Sequence, residues 1–213
     1  MWEYRLAWTT GKPDWWDEAW KSGAAALSRQ GSQPEKRPDF YLVLQDRADV
    51  GLKLRGGAEG DLDAKVLLAR SGGWELWEKV AFFKWNELEA IRFAALIGEQ
   101  RSADGTATSG TPAHGVQAAL ENLGIPYVET KLEKTRIQAS ARDIFGVIAA
   151  SLCNPCWVAE LVEIRLPDRA EPLLSACVET MQPVQGGIEP LPVSGALCCG
   201  YPELLIRHQK QAL

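Results

Sequence analysis

Apolar and polar positions alternate with a period of two over several stretches of this chain, which is the pattern of a β-strand with one apolar face. In residues 2–8 every even position is Trp, Tyr or Leu, and the odd positions include two charged residues. The same alternation predicts six further strands, at 50–55, 62–68, 74–82, 127–138, 158–165 and 175–179. Gly pairs at 56–57 and 72–73 separate neighbouring strands and are typical of turns. The pattern therefore predicts at least seven strands.

Helical spacing of apolar residues is less frequent and occurs between these strands. It predicts four helices, at 14–29, 87–98, 113–123 and 202–209. A capping box formed by Asn86 and Glu89 begins the second helix, and Gly124 ends the third. Segments rich in Gly, Ser and Pro are expected to be exposed loops, at 30–38, 101–112 and 182–192. Three or four helices beside a larger set of strands predict an α+β fold.

Composition and charge narrow the class of protein. The chain has 213 residues, of which 46% are hydrophobic and 24% charged, so a single globular domain over 1–213 is expected. Its net charge of -5 argues against a general nucleic-acid or anionic-membrane binder, so any anion site must be local. No apolar stretch approaches the ~20 residues of a membrane span. Charges at residues 3 and 5 argue against a secretory signal, and an odd set of five cysteines predicts reduced thiols and a cytoplasmic location.

The polar faces of the predicted strands carry an ordered set of charges. They hold five carboxylates and eight cations, namely Glu3, Asp63, Glu75, Glu163 and Glu179 with Arg5, Lys53, Arg55, Lys65, Lys79, Lys134, Arg136 and Arg165. One interpretation is the solvated face of a half-buried sheet. The other is a closed antiparallel barrel whose apolar faces pack against helices outside, while its charged faces line a tunnel. Such a tunnel would match the spread negative charge of a phosphate chain, and its carboxylates would hold a divalent cation.

The order of the charged strands resembles the CYTH superfamily, the triphosphate tunnel metalloenzymes. The residues that carry the resemblance extend over 2–205 and are Glu3-Tyr4-Arg5, Lys53-Leu54-Arg55, Lys65, Lys134-Thr135-Arg136, Glu163, Glu179 and the segment 201–205. The segments DVGLKLRGG at 49–57 and GWELWEK at 73–79 are similar to a plant and cyanobacterial branch of CYTH-like proteins.

The resemblance implies a closed eight-stranded antiparallel barrel that binds a small-molecule polyphosphate or nucleotide. In active family members the barrel hydrolyses a triphosphate with Mg²⁺ or Mn²⁺. The implied catalytic and metal-binding carboxylates are Glu3, Glu163 and Glu179. The implied phosphate-binding residues are Arg5, Lys53, Arg55, Lys65, Lys79, Lys134, Arg136 and Arg165.

Two departures from the family pattern affect the metal. The family's first strand has Glu-x-Glu-x-Lys, whereas here only Glu3 and Arg5 are present, and Cys177 replaces a Glu that is common in the last strand. Losing two carboxylates weakens metal binding more than phosphate binding. A non-catalytic polyanion-binding module is therefore the alternative function, and an interaction protein with merely solvated charges is a third.

Cysteine spacing offers one competing interpretation. Cys153 and Cys156 have the spacing of a zinc knuckle, which the Cys198-Cys199 pair or a His would have to complete. Because the second pair is adjacent rather than spaced, buried or half-buried free thiols are the simpler interpretation. No nucleophile elbow, phosphate-binding Gly loop or dinucleotide fingerprint is present. Trp residues at 15, 16 and 20 are expected to pack against the outer face of the barrel.

Overall fold

The computed structural model describes residues 1–55, 61–83, 112–146, 148–149, 151, 154, 156–181 and 194–210. Its strands are β1 (Trp2–Trp8), β2 (Glu35–Leu44), β3 (Val50–Arg55), β4 (Asp61–Ser71), β5 (Trp74–Phe83), β6 (Tyr127–Ser140), β7 (Val158–Arg165), β8 (Leu173–Thr180) and β9 (Leu197–Cys198). The helices within the described residues are α1 (Trp16–Arg29), α2 (Pro112–Asn122), α3 (Ala141–Phe145) and α4 (Tyr201–Gln209).

Eight of the strands form a closed antiparallel barrel. They follow the order β5-β4-β3-β2-β6-β7-β8-β1, and β1 closes the ring by pairing residues 2–4 with residues 74–76 of β5. The short β9 pairs with Leu6 and Ala7 farther along β1. The fold is α+β, as predicted, and the pairing of β1 with β5 closes the ring through three residue pairs.

The apolar faces of the strands point outward and are covered by helices. Even-numbered residues of β1 pack with Trp16 of α1 and with Ile144 and Phe145 of α3 in one core. Even-numbered residues of β2, β3 and β4 form a second core with Val116 and Leu120 of α2. The opposite faces of β1, β3 and β4, which carry most of these charges, therefore point into the barrel and are not a solvated outer surface.

A third core lies inside one end of the barrel. Inward-facing Val43 of β2, Leu132 of β6 and Val162 of β7 pack there against Leu204 and Leu205 of α4. The interior of this barrel is thus divided along its length. One end is filled by apolar side chains and α4, and the remaining interior is lined by the charged residues.

The period-two pattern predicts seven of the nine described strands. It misses the two-residue β9 and also β2, whose first residues fall in a predicted loop. The first half of β2, 35–38, is polar and contains Pro38, and its second half, 40–44, is a continuous apolar run. The run does not alternate because both of its faces are buried. Phe40 and Leu42 face α2, and Tyr41 and Val43 face the interior.

The helix predictions agree with the structure at α1, α2 and α4, while 87–98 lies outside the described residues. The spacing of apolar residues does not reveal α3, which has only 5 residues and begins with Ser140 accepting a hydrogen bond from the Asp143 amide at 3.1 Å. The Trp cluster packs as expected, since Trp16 is buried and its ring centroid lies 6.2 Å from that of Trp8. In the described part of the chain, no helix has both the length and the apolar character needed to cross a membrane.

A close approach between α1 and β6 makes Gly23 a test of the packing of the outer face. A Cβ atom at Gly23 would lie 2.6 Å from Cγ2 of Ile137 and 3.2 Å from Cγ1 of Ile144. Helix propensity alone would favour Gly23→Ala by about 1 kcal/mol. Because overpacking costs about 1–3 kcal/mol, we expect a net loss of stability in urea unfolding. Ser28→Ala, at an exposed position of the same helix, is the control and should change the unfolding free energy by less than about 0.5 kcal/mol. A stabilised Gly23→Ala protein would contradict this packing.

Candidate functional site

The charged part of the barrel interior is a cavity of about 700 Å³. Its ionisable side chains come from β1 to β8 and are Glu3, Asp63, Glu78, Glu160 and Glu179 with Arg5, Arg37, Lys53, Arg55, Lys65, Lys79, Lys134 and Arg136. Eight cationic side chains thus share one space with five carboxylates, in a chain whose overall charge is negative. Tyr201, at the start of α4, also lines the cavity.

Most residues that the family pattern pointed to lie in this cavity. Alternation brings together Glu3, Glu179, Arg5, Lys53, Arg55, Lys65, Lys79, Lys134 and Arg136. Glu163 and Arg165 are the exceptions, because the expectation that their side chains line the barrel interior is wrong. Both lie on the outer face of β7, since Glu163 pairs with Thr135 and with Leu174, whose side chain belongs to the outer core. Neither residue lines the cavity.

Glu160 is the carboxylate that β7 contributes instead. It shares the inward face with Val162 and Ile164, which pack against α4. The apolar character of those two positions had suggested that this face points outward. Both faces of β7 are buried over 159–162, so the sequence pattern in that part of the strand carried no signal for which side faces the interior. Arg37 and Tyr41 were missed as well, because β2 itself was not recognised.

Three carboxylates and three cations form what we call the acidic half of the cavity, consisting of Glu3, Glu160 and Glu179 with Arg5, Lys65 and Arg136. Arg5 Nη1 donates to Glu160 Oε1 at 3.1 Å and to Ser175 Oγ at 3.2 Å. Lys65 Nζ donates to Glu3, and Arg136 Nη1 donates to the second oxygen of Glu160 at 3.2 Å. Three cations thus face three carboxylates in this half, and Arg136 Nε also donates to the exposed Glu35 at 2.9 Å.

The carboxylates of the acidic half differ in their pKa values. Burial would raise the pKa of Glu160, but Arg5, Lys134 and Arg136 outweigh that effect and lower it. The pKa of Glu3 is also lowered, because Lys65 and Arg5 outweigh its burial. The pKa of Glu179 is raised by burial and by repulsion from Glu160 and Glu3. Glu179 is therefore the carboxylate whose charge is least compensated of the three.

Five cations surround two buried carboxylates in what we call the cationic half, consisting of Arg37, Lys53, Arg55, Lys79 and Lys134 with Asp39 and Asp63. Arg55 donates to Asp63 through Nε at 2.9 Å, and the same carboxylate lies 3.4 Å from Lys53 Nζ and 3.8 Å from Lys79 Nζ. Asp39 lies 3.0 Å from Arg37 Nε and 3.3 Å from Lys134 Nζ. Two exposed carboxylates lie at this cavity as well, since Arg37 Nη1 is 3.2 Å from Glu35 and Glu78 is a lining residue, so the cations outnumber the buried carboxylates only.

Burial and neighbouring cations change the pKa values of the two most enclosed lysines. Burial lowers the pKa of Lys53 to about 8, with Arg55 and Lys65 adding to the effect and Asp63 opposing it. Burial and the neighbouring Lys53 lower the pKa of Lys134 well below its ordinary value. Lys134 Nζ donates to the Tyr41 hydroxyl at 2.8 Å and lies 3.7 Å from the centroid of the Tyr201 ring. An anion placed here would favour the protonated form of both amines.

One group of possible metal ligands occurs among the described residues. Ligand atoms of Glu3, Cys177 and Glu179 all lie within 4.8 Å of one another. Mg²⁺ takes oxygen ligands, but one of these three is a buried thiol whose pKa is raised well above its ordinary value by burial. The Arg5 guanidinium also contacts two of the three, at 3.5 Å from Glu3 and 4.0 Å from Glu179. As arranged, this trio does not fit a Mg²⁺ or Mn²⁺ site.

The zinc-knuckle interpretation gains no support from the described cysteines. Cys153 lies outside the described residues, and Cys156 and Cys198 are exposed free thiols, whereas Cys199 is buried. In the part of the chain that the structure describes, neither Cys156 nor the Cys198-Cys199 pair belongs to a group of three or more potential metal ligands.

No model of a known protein family matches the sequence, and no curated protein matches it. Among solved structures, the chain is similar to a candidate adenylate cyclase from Bacillus halodurans. The two chains are 13% identical, the match covers 84% of this chain and 81% of the other, and the TM-score is 0.36. At this level the similarity carries no argument about function.

The lowered pKa of Lys53 predicts an unusual dependence of stability on pH. The unfolded chain, with an ordinary lysine pKa of 10.5, binds more protons than the folded protein at pH values between about 8 and 10.5. The free energy of unfolding should therefore rise with pH in this window, by about 1 kcal/mol from pH 8 to pH 9 for this residue. Lys53→Met removes the titrating group. Urea unfolding of the wild type and of Lys53→Met between pH 8 and 9 isolates the contribution of Lys53 as the difference between their free energies of unfolding. If the two free energies change in parallel with pH, the prediction is contradicted.

Proposed function

We propose that this barrel binds a triphosphate or another short polyphosphate, as a free anion or as part of a nucleotide, in the cationic half of its cavity. The observation that carries the proposal is the convergence of five cations on two carboxylates inside one enclosed space. Lys53 and Lys134 are the most enclosed lysines among the five cations, and positive charge held away from water costs stability unless an anion compensates it. A chain of phosphates supplies several charges along its length, and matches cations that are spread over several strands.

The chemistry of the side chains supports a ligand of this kind. Arg37 and Arg55 present planar guanidinium groups suited to pairs of phosphate oxygens, and Lys53, Lys79 and Lys134 act as point charges. A bound phosphate would replace part of the hydration that burial removes from Lys53 and Lys134. Binding then takes up protons at pH values near the pKa of Lys53. The resemblance of the charged strands to CYTH proteins points to the same class of ligand.

Hydrolysis of a phosphoanhydride with Mg²⁺ or Mn²⁺ is the second candidate function. The observation in its favour is the closeness of Glu3 and Glu179, together with the raised pKa of Glu179. Against it stand the thiol of Cys177 and the position of Arg5 described above. Binding without turnover is therefore the function that this geometry supports best.

Polyphosphate binding is tested by substituting one lysine inside the cavity and, as a control, one arginine outside it. Tripolyphosphate at about 100 times Kd should stabilise the wild type by about 2.7 kcal/mol, a shift that a thermal melt detects. Lys53→Met should weaken binding by roughly tenfold or more in calorimetry, since hydrogen bonds to charged groups contribute about 1.5–3 kcal/mol. Arg165→Met, on the exposed outer face of β7, removes the same charge without touching the cavity and should bind as the wild type does. Equal effects of the two substitutions, or no shift with the wild type, would refute the proposed site.

Hydrolysis is tested by phosphate release from tripolyphosphate and ATP, with Mg²⁺, with Mn²⁺ and with EDTA. We expect release in the wild type to stay at the level of the buffer. If turnover does occur, Glu179→Gln should abolish it, because this carboxylate lies in the cavity, and Glu163→Gln should leave it unchanged. Turnover abolished by Glu179→Gln would establish the second candidate function in place of simple binding.

A further inference from the structure

The guanidinium of Arg5 lies among all three carboxylates of the acidic half. Its terminal nitrogens are 3.1 Å from Glu160, 3.5 Å from Glu3 and 4.0 Å from Glu179. The side chain is only 5% exposed, and Ser175 accepts a further hydrogen bond from Nη1. The aromatic ring of Tyr201 covers the guanidinium, with its centroid 4.1 Å from Cζ. Contacts on several sides therefore hold Arg5 at the centre of the cluster.

The carboxylates of this cluster are paired without any added ion. Glu3 is also paired with Lys65, and Glu160 is also paired with Arg136, which in turn contacts the exposed Glu35. A divalent cation entering the cluster would add positive charge beside three resident cations and would have to displace a buried guanidinium from its hydrogen bonds. Both effects oppose metal binding.

We propose that Arg5 is the resident cation of this carboxylate cluster and takes the place that a divalent metal would hold, so that the barrel captures its ligand without a metal. Capture of a ligand without a metal rests on the proposed polyphosphate binding, whereas the role of Arg5 in the carboxylate cluster does not. Arg5 is a positioning residue here. It fixes the carboxylates of β1, β7 and β8 on one side of the cavity, and the cationic half opposite them receives the anion.

The test is a titration with Mn²⁺ alone, followed by the loss of the spectroscopic signal of free Mn²⁺. Wild-type protein should bind Mn²⁺ no more tightly than a Kd of about 1 mM, the level of weak carboxylate sites. Arg5→Gln leaves three carboxylates without their central cation and should bind Mn²⁺ at least tenfold more tightly. Arg5→Lys keeps the positive charge and should bind as weakly as the wild type. Arg165→Gln, outside the barrel interior, controls for the loss of one positive charge.

Two results of this titration would overturn the proposal. One is micromolar binding of Mn²⁺ by the wild type, and the other is a folded Arg5→Gln protein that gains no Mn²⁺ affinity. If Arg5→Gln does not fold, calorimetry of the wild type with tripolyphosphate in EDTA and in Mn²⁺ replaces it. Binding in EDTA within about threefold of that in Mn²⁺ supports the proposal, and binding only with Mn²⁺ overturns it. Absence of binding in both buffers would refute the proposed function, and the Mn²⁺ titration of the wild type would still decide the role of Arg5.

Discussion

The pairing of β1 with β5 is the constraint on which the rest of this structure depends. Through three residue pairs, it joins the two ends of an eight-stranded antiparallel sheet. A strand has two faces, so closing the sheet forces every second side chain into a shared interior. Charges that an open sheet would present to water are thereby concentrated in one cavity, where they must be matched either by each other or by a ligand.

The cavity meets this requirement differently on its two sides. In the acidic half, three carboxylates are balanced by Arg5, Lys65 and Arg136, and the contacts form a closed network. In the cationic half, two buried carboxylates face five cations, and burial, with neighbouring cations adding to it, lowers the pKa values of Lys53 and Lys134. The difference gives the site its polarity, because five of the eight cations that line the cavity lie on the second side.

The C-terminal helix α4 contributes to both the packing and the site. Leu204 and Leu205 fill one end of the barrel interior, and Tyr201 at its first turn contacts both Arg5 and Lys134 through its ring. Apolar packing and the charged cavity therefore share one element. The helix confines the ionisable groups to the remaining part of the interior, where less water can reach them, and so strengthens their mutual interactions.

Local sequence determined which residues form strands and which cations and carboxylates share a face. The alternation in β1 and β3 alone places Glu3 and Arg5 together, and likewise Lys53 and Arg55, because the period of a strand is fixed by backbone geometry. The order of these charged strands also indicated a closed barrel and most residues of the candidate site. Period alone failed where both faces of a strand are buried, as over 40–44 of β2 and 159–162 of β7, since apolar residues then occupy inward and outward positions alike.

Tertiary structure decided what alternation leaves open. It placed Glu160 rather than Glu163 in the cavity. Beyond Glu160, the inward face of β7 carries Val162 and Ile164, which pack against α4, and Glu163 therefore lies on the other face. It brought Arg5 of β1 to Glu160, 155 positions away in sequence, and so produced a carboxylate cluster with its own central cation. Distances between strands and the balance of charge across a cavity depend on contacts between residues remote in sequence, and no local pattern contains them.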